Sequence, residues 1–322
     1  MTLAAAIRKT AFRWHSLVAR SPTATRAYIA AVSAAARLLP DGRVRGMVEW
    51  AVTGQRVAWQ PLAFAAREVI VGTSTPIRLR PHLGEFDQAA LFHRRLAAED
   101  PFIFNWLERH AAARYDAVID IGANVGLYSL FFDALIRRAP EGRLRRVYAF
   151  EPSPIAYGRL SANLAANEAR AVEAFAAAVA DASGFAAFYQ PEGHLVNGSL
   201  SRDFAGRFCQ TVCKYTVVTL SGANLEELFA RHRQVLVKID AEGLEPRILA
   251  AMASILQRHR PDLLIEILQG VDGALNALGC LGGYSAYHLT PSGPTRRDRL
   301  AADPVCRDWL LTAAPLEPDE TH

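Results

Sequence analysis

The stretch VIDIGANVGLYSL (residues 118–130) places an acidic residue, two glycines and an asparagine between an apolar run and an amphipathic one. The apolar residues before Asp120 predict a buried parallel strand. The apolar residues after Gly126 recur at helical spacing along one face, which predicts an amphipathic helix. A strand, a tight glycine loop and a helix in this order are typical of the ligand-binding edge of an open α/β sheet.

The same alternation of strand and helix continues along the chain. It predicts a doubly wound, mostly parallel α/β sheet with right-handed crossovers. The expected parallel strands are 117–121, 146–150, 172–179, 235–239 and 262–267. Two further segments, 284–290 and 308–314, are expected to pair as a final antiparallel hairpin on this sheet.

The chain divides into three predicted regions. Residues 1–66 form a basic helical arm, and residues 67–113 form a hairpin around the turn at 72–74, followed by a helix-like stretch at 86–113. Residues 114–322 form the main domain. Within it, the polar, glycine-punctuated segment 190–215 is expected to be a lid-like loop.

Charge is concentrated in the N-terminal arm. Of 36 basic and 32 acidic residues, nine basic and two acidic ones fall within residues 1–60. This arm is expected either to contact an anionic membrane surface or a partner, or to pack on the main domain or a second copy of the chain. The main body is slightly acidic, so a nucleic-acid partner is not expected.

Other classes of site have no support in the sequence. The four cysteines are scattered and lack a histidine cluster, so neither a metal site nor a disulfide framework is expected. No apolar run is long enough to span a bilayer, and we expect a soluble, cytoplasmic protein.

The loop chemistry distinguishes between ligands. Dinucleotide sites use G-x-G-x-x-G, whereas this chain reads D-x-G-x-x-x-G, with Asn124 in place of the second glycine. The Asp120 carboxylate would repel a pyrophosphate and attract an ammonium group, which disfavours a nicotinamide oxidoreductase. The loop therefore suits an amino-acid zwitterion, with its carboxylate near the helix N-terminus and its ammonium near Asp120 or loop carbonyls.

A second acidic residue completes the ligand prediction. Glu151 ends the next strand, where nucleotide-binding sheets hold a ribose diol. Taken alone, Asp120 is also explained as a helix-capping acid and Glu151 as a surface acid. Together they favour a ligand with a zwitterion and a ribose, which describes S-adenosyl-L-methionine (SAM).

Three blocks resemble the FkbM-type SAM-dependent methyltransferases: 118–130, VYAFEPSPIAYGRLSANLAAN (147–167) and LVKIDAEGLEPRIL (236–249). The resemblance implies a seven-stranded, Rossmann-like class I methyltransferase sheet and O-methylation of hydroxyls on sugars or related metabolites. It also implies a set of cofactor-binding residues: the methionine end at Asp120, Gly122, Ala123, Asn124 and Gly126, the ribose at Glu151 and the adenine at Asp181. Asp181 is equally explained as a turn former before Gly184.

Catalytic candidates follow from the acceptor chemistry. An alcohol must lose its proton on methylation, so a base assists the transfer. Asp240 ends a strand beside the expected crevice and Glu242 follows it, although both are also explained as caps of the next helix. His194 in the lid-like segment is a third candidate, and an exposed loop histidine is the alternative.

Several readings stay open from the sequence. The family often has E-x-H in the fifth strand, but this chain has Leu268 in place of the histidine. Asp240 with Glu266 is a possible pair of metal ligands, although no third ligand is evident. The predicted function is methylation of a small-molecule or glycan hydroxyl. The alternatives are an N-methyltransferase and a non-catalytic SAM-binding domain that docks a membrane or glycan-assembly partner.

Overall fold

The computed structural model describes residues 21–40, 42–53, 62–82, 85–96, 101–192, 194–209, 211–317 and 320. The helices, in chain order, are α1 (Pro22–Leu38), α2 (Arg43–Thr53), α3 (Ala89–Phe92), α4 (Pro101–Arg114), α5 (Leu127–Arg138), α6 (Pro154–Asn167), α7 (Arg202–Ala205), α8 (Glu226–Ala230), α9 (Glu245–Ala251), α10 (Ala253–His259) and α11 (Asp272–Asn276). The strands are β1 (Arg67–Val71), β2 (Thr75–Leu79), β3 (Ala117–Ile121), β4 (Arg146–Phe150), β5 (Val172–Phe175), β6 (Ala177–Ala180), β7 (Gly184–Pro191), β8 (Val212–Ser221), β9 (Val235–Ile239), β10 (Asp262–Glu266), β11 (Ser285–Thr290), β12 (Gly293–Arg297) and β13 (Asp308–Thr312).

An eight-stranded sheet has the order β12-β11-β13-β10-β9-β3-β4-β5. The strands from β10 to β5 in this order are parallel, and the three at the other end pair antiparallel. Every residue of β3 and β9 is buried, as expected for parallel strands covered on both faces. The predicted doubly wound α/β fold is therefore confirmed, with β12 as one strand more than the seven expected.

The predicted C-terminal pairing is also confirmed. β11 and β13 pair antiparallel, with Ala286 opposite Leu311 and Tyr287 opposite Leu310. β13 in turn lies antiparallel to β10. The last strands of the chain therefore extend the sheet beyond β10 and bury Leu310 and Leu311 in its two core clusters.

Helices cover both faces of this sheet. On one face, α5 buries Leu130 and Phe131 in a cluster that includes α4 and the β1–β2 hairpin. On the other face, α9 and α10 bury Ile248 and Ile255. Because both faces are covered, a ligand reaches the sheet at the carboxyl ends of its strands, as in other open α/β sheets.

The predicted hairpin before the main domain is confirmed, since β1 pairs antiparallel with β2 around the turn at 72–74. The single helix-like stretch predicted at 86–113 is wrong. The chain forms α3, leaves the helix at His93 and starts α4 at Pro101. The reason is a pair of backbone bonds: Ile70 N–H donates to the Arg94 carbonyl at 2.7 Å, and Leu96 N–H donates to the Ile70 carbonyl at 3.0 Å.

A second, three-stranded sheet has the order β6-β8-β7. Two sequence predictions that fall in this sheet are wrong. The strand predicted at 172–179 is two strands, because the chain leaves the central sheet at Ala176 and β6 pairs with β8 instead. The segment 190–215 is also not one loop. β7 and β8 form a long antiparallel hairpin, and only the connection 192–211 lies outside these strands.

The helices α1 and α2 form the described part of the N-terminal arm. Val32 and Ala36 of α1 pack with Phe64, Leu91 and Phe92 in a small separate core. Residues 1–20, 41 and 54–61 of the predicted arm lie outside the described residues. None of the described helices combines the length and the apolar content needed to cross a membrane. The three-region division stays a prediction.

Candidate active site

A pocket opens at the carboxyl ends of β3, β4 and β9, with residues 195–200 as its outer wall. Together with the open solvent at its mouth, it encloses about 570 Å³. Five of the residues predicted from sequence line it together: Gly122, Asn124, Glu151, Asp240 and Glu242. The pocket therefore combines the predicted donor loop with the predicted acceptor-side acids.

The loop after β3 requires glycine at Gly122. Its φ is +80°, and a Cβ there would lie 1.9 Å from the carbonyl oxygen of Asp240. Asn124 has a φ of +51°, a conformation that asparagine tolerates better than most residues. Gly126, with a φ of +93°, caps α5 and packs against Leu160. The loop therefore lies directly against the backbone that follows β9.

Glu151 connects the loop to the start of α6. Its carboxylate accepts the backbone N–H of Asn124 at 2.8 Å and that of Ser153 at 2.7 Å. Burial raises the pKa of this carboxyl to about 7, although the two amides oppose the shift. Each oxygen keeps a further lone pair, so Glu151 can still accept the hydroxyls of a ribose in the pocket.

The pocket residues fit SAM. Asn124 Oδ1 is buried and has no hydrogen-bond partner within the described part of the chain, so it offers an acceptor to an ammonium or hydroxyl group. Gly122 lies in the pocket lining, and Glu151 stands at the end of the adjacent strand. These acceptors match a zwitterion and a ribose, and none of them would favour a phosphate.

Asp120 lies beneath this pocket and not in its lining. The residue is fully buried, and its carboxylate accepts the Ser129 hydroxyl at 2.7 Å. Its other oxygen lies 3.7 Å from Lys238 Nζ. The structure therefore does not show the predicted direct contact between Asp120 and a ligand ammonium. The ammonium beside Asp120 is that of Lys238.

Lys238 is the main site residue that sequence reasoning missed. Its ammonium donates to the Gly122 carbonyl at 3.4 Å and to Asp240 Oδ2 at 3.2 Å, and it lies 4.9 Å from the ring centroid of Tyr128. Burial alone would lower the pKa of this ammonium, but Asp240 and Asp120 together outweigh burial and raise it. The sequence signal for this residue is the lysine within LVKID. A charged side chain in a strand that is buried on both faces needs an oppositely charged partner.

The acceptor-side acids differ in their surroundings. The Asp240 side chain is 36% exposed and paired with Lys238. Burial raises the pKa of Glu242 well above its usual range, and the nearby carboxylates of Asp240, Glu266 and Glu245 add to the shift. Glu242 is therefore protonated near neutral pH, which makes Asp240 the better candidate for the base.

Glu245, which the sequence suggested only as a neighbour, has a structural role. Its Oε1 accepts the backbone N–H groups of Ala241 at 3.0 Å and Gly243 at 3.2 Å, which fixes the turn after β9. Glu266 accepts from Arg307 at 3.3 Å. Among the described residues, no group of three or more His, Cys, Asp or Glu side chains is arranged to hold a metal ion.

Besides Asp120 and Gly126, three predicted residues do not line the pocket. Asp181 is a surface residue paired with Arg247 at 2.7 Å, because the chain has already entered the second sheet. His194 packs its ring 6.2 Å from that of Phe208, at the edge of the pocket. Ala123 is buried against Leu160. Their predicted roles in binding or catalysis stay predictions.

The outer wall of the pocket is fixed to the second sheet. Gln190 of β7 donates to the carbonyls of His194 at 2.8 Å and Leu195 at 3.3 Å. Gly198 lies so close to β7 that a Cβ there would be 2.5 Å from Phe188 Cζ. The Ser199 hydroxyl donates to the Glu242 carbonyl at 3.3 Å, so the wall also contacts the turn after β9.

Comparison with known proteins identifies the domain. Residues 120–275 match the methyltransferase FkbM domain. The chain is 44% identical over 52 residues to the methyltransferase sdnD of Sordaria araneosa (16% of this chain, 18% of that protein). It is 28% identical over 179 residues to the hexuronic acid methyltransferase AglP of Haloferax volcanii (56% of this chain, 66% of that protein). The chain thus spans less than two thirds of the length of either relative.

Solved structures give a weaker likeness. An FkbM methyltransferase from Methylobacillus flagellatus has 15% sequence identity and a TM-score of 0.38, over 62% of this chain and 44% of that one. The sequence match confirms the family expected from the three motifs, and with it SAM as the cofactor. Residues 120–275 therefore form a methyltransferase FkbM domain.

Proposed function

We propose that this protein transfers the methyl group of SAM to a hydroxyl group of a sugar, glycan or small metabolite. One observation carries the proposal: the donor loop and the acid that ends β9 line the same pocket, with Gly122 against the Asp240 backbone. Methyl transfer is an in-line displacement, so a site that holds donor and acceptor side by side supplies much of the catalysis.

The donor half of the site consists of Gly122, Asn124 and Glu151. The Glu151 carboxylate would accept the ribose hydroxyls, and Asn124 Oδ1 would accept from the ammonium or a hydroxyl. SAM supplies an electrophilic methyl group when bound. Lys238 and Asp120 support this half from below, since Lys238 donates to the Gly122 carbonyl.

The acceptor half centres on Asp240. Its carboxylate is exposed to the pocket and paired with Lys238, which suits a group that takes up the proton of an acceptor hydroxyl. Glu242, protonated near neutral pH, would instead donate a hydrogen bond to the acceptor. This assignment gives the two acids different roles because their environments differ.

The acceptor class is supported by the relative named a hexuronic acid methyltransferase, which shares 28% identity over 179 residues. The methylated atoms of such sugars are hydroxyl oxygens or a carboxylate oxygen, so O-methylation is the reaction to test. An acidic sugar is therefore the first acceptor to examine.

Calorimetric titration with SAM and NADH tests the donor half. We expect SAM binding without an NADH response, and at least about tenfold weaker SAM binding in Glu151→Gln, since hydrogen bonds to a charged group contribute about 1.5–3 kcal/mol. Because burial raises the pKa of Glu151 to about 7, affinity should increase between pH 6 and 8 in the wild type, as the carboxylate forms, and stay flat in the variant.

The matched control is Asp298→Asn, which removes an exposed acidic side chain outside the pocket lining and should leave SAM affinity unchanged. Weaker SAM binding in Asp181→Asn would favour the adenine contact predicted for Asp181. NADH binding with indifference to SAM would contradict the proposed function. SAM binding without turnover on any hydroxylated acceptor would favour the non-catalytic alternative.

A further inference from the structure

Three aromatic rings form a surface at the rim of the pocket. Phe204 and Phe208 lie with ring centroids 5.3 Å apart, and the His194 ring lies 6.2 Å from that of Phe208. Leu195 and Leu200 line the pocket. His194 directly precedes Leu195, and α7, which contains Phe204, begins two residues after Leu200. Phe208 is 38% exposed, so its ring face is open to a ligand.

This rim lies against the acceptor side of the pocket and not the donor side. A Cβ at Gly243 would be 3.8 Å from Phe204 Cδ2, and Gly243 directly follows Glu242. The Ser199 hydroxyl bonds the Glu242 carbonyl, and Ser201 accepts the Phe204 N–H at 3.3 Å. The aromatic surface is thus held next to the turn that contains Glu242.

Arg207 adds a positive charge to the aromatic surface. Its guanidinium carbon lies 5.6 Å from the centre of the Phe204 ring. The side chain is exposed, and it forms no ion pair with an acidic residue in the described ranges, whereas Arg247 and Arg307 are each paired. A guanidinium held over an aromatic ring is suited to bind a carboxylate in a bidentate geometry.

We propose that Phe204, Phe208 and Arg207 form the acceptor subsite for a carboxylate-bearing sugar ring. The apolar C–H face of the ring would pack on the exposed Phe208 ring, and its carboxylate would pair with Arg207. A sugar held in this way extends from the rim toward Glu242 and Asp240, where a ring hydroxyl loses its proton. The inference rests on the proposed function and adds to it the residues that select the acceptor.

Two probes that differ only at C6 test the carboxylate contact: p-nitrophenyl β-D-glucuronide and p-nitrophenyl β-D-glucoside. Binding is measured by calorimetry on protein saturated with S-adenosyl-L-homocysteine, and turnover is measured separately with SAM. We expect the glucuronide to bind more tightly than the glucoside. Arg207→Gln should weaken glucuronide binding by tenfold or more and leave glucoside binding unchanged. In turnover, it should raise KM with little change in kcat.

The aromatic contact has its own variant and control. Phe208→Ala should weaken both probes by fivefold or more, because the ring face is common to them. Phe185→Ala, which removes an 80% exposed ring on β7, and Arg202→Gln, which removes an exposed charge on α7, should change neither. Unaltered SAM affinity in all four variants shows that the donor half stays folded.

The outcomes separate the subsite from the function. Equal affinity of the two probes, or an unchanged preference in Arg207→Gln, would overturn the acidic-sugar subsite even if neutral hydroxyl acceptors are methylated. Glucuronide binding that depends on Arg207, without any turnover, would support the subsite and count against the proposed methyl transfer. Failure of the wild type to bind either probe would overturn the subsite.

Discussion

At the scale of single residues, Lys238 connects the two halves of the candidate site. Its buried ammonium contacts Asp120 and Asp240 and the Gly122 carbonyl. We expect Lys238→Met to lower the free energy of unfolding by roughly 3–5 kcal/mol, since removing one partner of a buried pair leaves an uncompensated charge. Urea unfolding monitored by circular dichroism measures this change.

Two further variants separate a charge effect from a packing effect. Lys214→Met changes an exposed lysine of β8 and should stay within about 0.5 kcal/mol of the wild type. Asp120→Asn combined with Lys238→Met should recover part of the loss, because less negative charge is then left buried. An equal loss of unfolding free energy in Lys238→Met and in the double variant would contradict the electrostatic role of Lys238.

The site residues show what a one-dimensional pattern can predict. Gly122, Asn124 and Glu151 could be placed at the pocket because they adjoin predicted parallel strands, whose carboxyl ends meet at one edge. The position of Asp120 beneath the floor could not be predicted, because it depends on which way the last residues of a strand face. The surface position of Asp181 depends on the change of sheet at Ala176.

At the scale of elements, Glu108 of α4 connects the β1–β2 hairpin to α5 of the main domain. Its carboxylate accepts from Thr73, Ser74 and Thr75, and from Arg138 of α5. Burial alone would raise the pKa of Glu108, but these hydrogen bonds outweigh it and hold the pKa at about 2. The hairpin turn is therefore stabilised by an ionised carboxylate.

We expect Glu108→Gln to cost roughly 1–3 kcal/mol of stability at pH 7, as for other buried groups that lose a hydrogen-bond partner. Since the folded pKa is below the usual value of 4.5, this contribution is present above about pH 4.5 and is lost as pH falls toward 2. Urea unfolding at pH 7 and pH 3 should show the difference between wild type and variant shrinking. Glu141→Gln, at an exposed loop position, should show no such pH-dependent difference.

The elements were predicted best where the pattern is local. The strands at 117–121, 146–150 and 235–239 agree with β3, β4 and β9, because continuous apolar runs report burial on both faces. The break between α3 and α4 could not be predicted, because it is set by backbone bonds to Ile70, which lies 24 residues before Arg94. Long-range pairing of this kind leaves no periodic signal.

At the scale of the whole molecule, the surface around the end of α1 and the start of α2 combines exposed apolar and basic side chains. Leu38, Val44 and Met47 are 81%, 63% and 70% exposed. Burial, Arg37 and Arg45 together lower the pKa of Arg67, which indicates concentrated positive charge nearby. Exposed apolar residues surrounded by arginine are typical of a surface that enters an anionic bilayer interface.

We expect the full chain to co-sediment with phosphatidylglycerol vesicles at low salt and not with phosphatidylcholine vesicles. The variant with Leu38→Ser, Val44→Ser and Met47→Ser should bind at least about tenfold more weakly, since about 1.4 kcal/mol of lost apolar burial is sufficient. Val305→Ser, at a position 76% exposed in the C-terminal region, is the control. Binding unaffected by the triple substitution would favour packing of the arm on a partner protein.

The separation of the two sheets has an evolutionary consequence. The donor residues Gly122, Asn124 and Glu151 belong to the central sheet, while Phe204, Phe208 and Arg207 lie on the connection between β7 and β8 of the other sheet. Insertions or replacements in 192–211 leave the strands that hold the donor site unchanged. With the proposed subsite, lineages that share this architecture would acquire new acceptors by exchanging one surface segment, without rebuilding the cofactor site.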